Sequence, residues 1–90
     1  MERTESTMNR TLTCPLSRLK AGQATTVASL GGGREFQHRL AAMGLNVGCT
    51  VRVIRAAAAL GGPVLVALGQ TRLAIGRGMA EKIHVAVPPH

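Results

Sequence analysis

The sequence predicts a mainly β domain: a small closed or half-open barrel of about five short strands, with one α-helix between the first two. Three observations point there. Short aliphatic runs alternate inward and outward with a period of two, as half-buried strands do. Only one segment, 34–43, has helical spacing of its apolar residues. Glycine-containing breaks separate the runs so closely that a compact barrel is the natural way to bury them and to protect their edges.

In chain order, residues 1–13 are polar and unpatterned and are expected to be a disordered tail, with the domain running over 14–90. Pro15 opens the ordered part, and Leu16 and Leu19, three apart, suit one helical turn ended by Gly22. TTVASL, 25–30, is a strand candidate because its β-branched residues favour extended backbone. Gly31, Gly32 and Gly33 break it. Three glycines before a helix can cradle a phosphate, but no Lys-Ser/Thr pair follows, so this is no P-loop and a turn is expected.

In the helix, Phe36, Leu40 and Met43 form one apolar stripe, expected to plug an open end of the barrel. Gly44 suits the left-handed position just past the helix, and Leu45 then falls where it can contact Leu40, the Schellman arrangement. CTVRVIR, 49–55, puts Val51 and Val53 on one face and Thr50 and Arg52 on the other. The segment 56–62 is an apolar, uncharged loop, a contact patch if exposed. PVLVAL, 63–68, presents Val64, Val66 and Leu68 together; Gly69, Gln70 and Thr71 make a hairpin turn. RLAI, 72–75, turns Leu73 and Ile75 inward, 79–81 suits a helical turn, and KIHVAV, 82–87, closes with Ile83, Val85 and Val87 on one face.

Composition narrows the function. Ninety residues make one domain that buries roughly 60% of its unfolded surface, which leaves little room for an enclosed active site. With 46% hydrophobic residues but Phe36 as the single aromatic, the core is aliphatic. The net charge of +7 suits an acidic partner, whether nucleic acid, membrane surface or protein. Cys14 and Cys49 lie far apart, with no Cys-x-x-Cys or His-x-x-x-His spacing, so reduced thiols are expected and structural zinc is not. No signal peptide or membrane-spanning run is visible, and a cytoplasmic location is expected. The four acids are Glu2, Glu5, Glu35 and Glu81, two of them in the tail, and neither Ser17 nor Ser29 has a triad-like setting. The expectation is therefore no enzyme.

Four pieces occur in order: PLSRLKAG at 15–22, GGGREFQHRLAAMGLNVG at 31–48, GPVLVALG at 62–69 and LAIGRGMAEKIHV at 73–85. Together they resemble the FeoA family, the small cytoplasmic component of bacterial ferrous-iron uptake. The specific parts are Arg39-Leu40-x-x-Met43-Gly44-Leu45-x-x-Gly48 and Leu73-Ala74-Ile75-Gly76-Arg77. The resemblance implies an SH3-like β-barrel without catalytic activity, like the C-terminal domain of DtxR-type iron-dependent repressors. It also implies a partner: FeoB, the membrane permease with a cytoplasmic GTP-binding domain.

On this reading the outside of the barrel does the work. Arg34, His38, Arg39 and Arg77 are the residues expected to dock an acidic surface, with Leu45 as an apolar anchor. No cofactor is expected other than a weakly held ferrous ion or another transition metal. Such an ion needs two or three converging ligands, for which His38, Glu35, Cys49, His84 and Glu81 are the candidates. Glu35 and His38, three apart on the helix, make half a site, against the plainer reading of a solvated face. Two alternatives to permease binding stay open: a basic barrel that binds nucleic acid, which the lack of stacking aromatics disfavours, and a metal carrier.

Overall fold

A computed structural model describes residues 12–58 and 61–88. Its strands are β1 (Thr13–Pro15), β2 (Ala24–Leu30), β3 (Thr50–Arg55), β4 (Val64–Leu68), β5 (Thr71–Ile75) and β6 (Ile83–Ala86). A 3₁₀ turn covers Leu16–Arg18, helix α1 covers Arg34–Ala42, and a short helix α2 covers Arg77–Ala80. The strands pair in the order β1-β6-β2-β3-β4-β5, each neighbouring pair antiparallel.

The long strand β2 makes the curvature. Its first half pairs with β3, Ala24 opposite Arg52 and Thr26 opposite Thr50. Its second half pairs with β6, Val27 opposite Val85 and Leu30 opposite Ile83, with a bulge between Val27 and Ser29. A bulge bends a strand and increases its twist, so one strand serves two sheet faces that fold over a common core. The hydroxyl of half-buried Thr25 donates to the Ala86 carbonyl at 2.6 Å and ties the two halves together. A second bulge, between Val53 and Arg55, bends β3 in the same way.

The alternation expected of the strands holds. Val51, Val53, Val64, Val66, Ile75, Ile83 and Val85 are all buried, together with Leu16 and Leu19 from the turn beneath the sheet. The helix ends as expected. Gly44, at φ +93°, donates its N–H to the Ala41 carbonyl, and the Leu45 N–H reaches the Leu40 carbonyl, both at 2.9 Å. These are the two hydrogen bonds of a Schellman cap.

Several expectations change. The described strands number six rather than about five, because Thr13–Pro15 pairs with β6 (Thr13 opposite Ala86, Pro15 opposite His84). Three residues ending in proline carry no readable alternation; only the exposed edge of β6 makes them a strand. The helix therefore lies between the second and third strands, and ordered chain reaches back into Leu12 and Thr13, whose segment reads as tail. Of the two expected forms, closed or half-open, the cylinder takes the half-open one: β1 and β5, at the two ends of the order, do not pair. Finally, Met43 does not plug the barrel. It is the capping residue of α1 and is 36% exposed, while Leu45, folded back by Gly44, is fully buried beside Leu40; Phe36 is half-buried at the margin of the core. Val87 likewise leaves the inward row and is exposed, because β6 ends at Ala86 and the Val87 N–H bonds the Leu12 carbonyl.

Candidate functional site

Burial removes one candidate. Leu45 has no exposed surface, so it is a core residue and not an apolar anchor for a partner. The sequence placed it correctly against Leu40 and left open how completely that contact consumes it.

The cationic candidates sit on the helices. Arg34, Glu35, His38 and Arg39 are all exposed on α1, which follows its N-cap Gly33, the last residue of the glycine turn. That turn is tied to the start of β6: the Gly31 N–H donates to the Lys82 carbonyl at 2.7 Å, and the Lys82 ammonium lies 5.6 Å from the centre of the Phe36 ring. Gln37 donates from Nε2 to the Leu30 carbonyl at 3.1 Å, which fixes the entry of the helix. Gly32 is where the turn and helix press closest; a Cβ there would stand 2.6 Å from Phe36 Cδ2. Arg77, on α2, reaches Glu81 at 3.7 Å one helical turn on, with both side chains more than half exposed. Such a pair contributes little to stability.

The metal candidates stay apart in the fold. Glu35 and His38 face solvent on α1. His84 is half-buried on β6, in an outward row with Pro15 and Ser29. Cys49 packs against the core just before β3, and Glu81 is engaged by Arg77. No group of three or more His, Cys, Asp or Glu comes together among the described residues.

The register assembles a feature that sequence reasoning passed over. Arg52, Ala67 and Arg72 are directly paired across β3, β4 and β5, and Arg55, Leu65 and Ala74 form the next row. Paired residues project to the same side of a sheet. Since Val53, Val64, Val66 and Ile75 face the core, these two rows are the outer face. The result is three arginines around a floor of Leu65, Ala67 and Ala74. In the sequence these bases look scattered; the one available signal was that Arg52 and Arg72 each alternate with inward aliphatics.

Among the described residues, no helix is long and apolar enough to cross a membrane. Comparison with known proteins is consistent along the domain. A family model described as "FeoA domain" matches residues 14–87. A protein of Methanocaldococcus jannaschii named "Putative Fe(2+) transport protein A" is 38% identical over 71 residues, 79% of this chain and 83% of that one. Among solved structures, an iron uptake regulatory protein, FeoA, superposes with a TM-score of 0.76 at 32% identity, over 83% of this chain and 97% of the other. FeoA from Chlorobium tepidum gives 0.71 at 36% identity, over 81% and 69%. A manganese-dependent transcriptional repressor gives 0.77 at 20% identity over 86% of this chain but 42% of its own, a likeness of fold alone. The half-open SH3-like sheet, the Schellman-capped helix and the match over residues 14–87 together show that this chain belongs to the FeoA domain family.

Proposed function

We propose that this chain is a non-enzymatic accessory of ferrous-iron uptake that acts by binding the cytoplasmic GTP-binding part of a FeoB-type permease. The observation that carries this reading is the family match across nearly all of the described domain, together with relatives named for Fe(2+) transport and iron uptake. The physical setting supports it. The interior is filled by aliphatic side chains, and among the described residues no charged side chain is buried, so the charges are placed to meet a partner rather than a substrate. The work is done in the cytoplasm, where the permease presents that domain.

Titration of the chain with the cytoplasmic domain of the FeoB permease of the same organism tests the proposal, in the nucleotide-free, GDP and GTP-analogue states. Saturable binding in at least one state is expected. No binding in any state, at either low or physiological salt, refutes it. The charge of +7 also favours a second reading, nucleic-acid binding. Retardation of RNA or DNA that persists at physiological salt would replace the first reading with the second. Weak ferrous-iron binding at Glu35 and His38 is compatible with either and is measured by anaerobic calorimetry.

A further inference from the structure

We propose that the outer face of β3–β4–β5 and the free edge of β5 take an extended, acidic segment of a partner protein. This rests on the permease-binding reading and adds to it the surface used and the chemistry of the segment bound.

The first observation is the edge. β5 is last in the sheet order, so one of its sides has no strand beside it among the described residues. Only Gly69 and Gln70 separate Leu68 from Thr71, which face each other across β4 and β5. The pair that closes a two-residue hairpin exchanges both backbone hydrogen bonds, and such pairs alternate along an antiparallel ladder. Leu73 and Ile75 therefore bond toward β4, while the N–H and C=O groups of Arg72 and Ala74 point to the open side. Neither residue's backbone has a bond outside the ladder among the described residues. Four groups at this spacing are what an added strand engages. β1, at the other end of the order, has three residues and ends in proline, so it is the poorer template.

The second observation is charge. Arg52, Arg55 and Arg72 crowd the outer face next to this edge, and all three are exposed. The described acidic residues, Glu35 and Glu81, lie elsewhere, on α1 and just past α2. Two of the three arginines on those helices have an acid beside them: Arg34 adjoins Glu35 in the chain, and Arg77 pairs with Glu81; Arg39 lies one helical turn beyond Glu35. The sheet face is thus the more uniformly positive surface, and the one a carboxylate-bearing strand complements. A second copy of this chain is a poor occupant, because it brings another Arg72 and another +7 to the same seam. Single-stranded nucleic acid is also a poor occupant, because the face has no aromatic ring for bases to stack on. An added strand of alternating acidic and apolar residues fits both elements: its backbone pairs with Arg72 and Ala74, its carboxylates face the arginines, and its apolar side chains extend the row of Leu73 and Ile75.

The test is a titration of the ¹⁵N-labelled full chain with two probes, the permease cytoplasmic domain and a capped synthetic peptide of alternating Glu and Val. Both are expected to shift the amides of Arg72 and Ala74 and then those of β3 and β4. Arg52→Glu with Arg72→Glu is expected to weaken binding by about tenfold or more, since like charges across an interface repel strongly. Arg34→Glu with Arg39→Glu is expected to change it by less than about threefold, as for charges outside the contact. Arg52→Gln with Arg72→Gln, retaining the spectrum of the folded chain, guards against misfolding and should weaken binding less. If the permease domain binds but its shifts fall on α1, the surface assignment is wrong and the permease reading stands. If the permease domain does not bind and the peptide still docks on β5, the surface stands and the permease reading falls. Shifts at β5 from neither probe, or from duplex RNA in their place, overturn the proposal.

Discussion

Gly44→Ala isolates the conformational cost of ending the helix. Gly44 sits at φ +93°, and a Cβ built there has no heavy atom within 4 Å, so steric contact with the rest of the fold adds nothing. What remains is local. Left-handed backbone costs an L-residue about 1–2 kcal/mol. Alanine also reduces the entropy of the unfolded chain, which returns about 0.4–1 kcal/mol. The net destabilisation is therefore about 1 kcal/mol. For a domain of this size that corresponds to a fall in Tm of roughly 4–8 °C. Chemical and thermal denaturation followed by far-UV circular dichroism measure it, and Gly44→Asn should cost less, because asparagine tolerates this region better than alanine. A loss beyond about 3 kcal/mol would mean that the reversal at Gly44 also positions Leu45, whose N–H closes the cap on Leu40. No loss at all would refute the assignment of the cap.

Other substitutions separate the remaining contributions. Gly32→Ala should cost more than Gly44→Ala in the same denaturation assay, because the added Cβ meets the Phe36 ring at 2.6 Å and must displace it from beneath Lys82. Leu40→Ala removes a fully buried side chain and should destabilise by about 2–5 kcal/mol, seen as a large drop in the urea midpoint. Thr25→Val keeps the shape but removes the hydroxyl bonded to the Ala86 carbonyl; a loss of about 1 kcal/mol is expected, with faster amide exchange where β2 passes from β3 to β6. Arg77→Ala should leave stability within about 0.5 kcal/mol, since it breaks only an exposed pair with Glu81.

Much of the fold is legible in the sequence, because local rules carry it. The alternation of Val51 with Arg52, or of Ile83 with His84, names the inward face without reference to any neighbour. Gly44 and Leu45 announce the helix end from four residues of text. The same local reading fails where a partner decides. Thr13–Pro15 is a strand only because β6 has an edge to offer. Met43 continues a helical stripe in the sequence, yet the chain has already turned away from the core at that residue. Leu45 reads equally well as core or as anchor until its burial is known.

The candidate site follows the same division. Sequence alone determined an aliphatic, aromatic-poor, strongly basic domain whose elements repeat the FeoA pattern. It named Arg34, His38, Arg39 and Arg77 as docking candidates, with Leu45 as an apolar anchor, and left the docking face open. Tertiary structure alone decided that Arg52, Arg55 and Arg72 form a common face, and that β5 ends the order of the described strands. The physical reason is register. Hydrogen bonding between strands brings residues twenty positions apart to within a side chain's reach, and no pattern of period two within one strand specifies which neighbour it will meet.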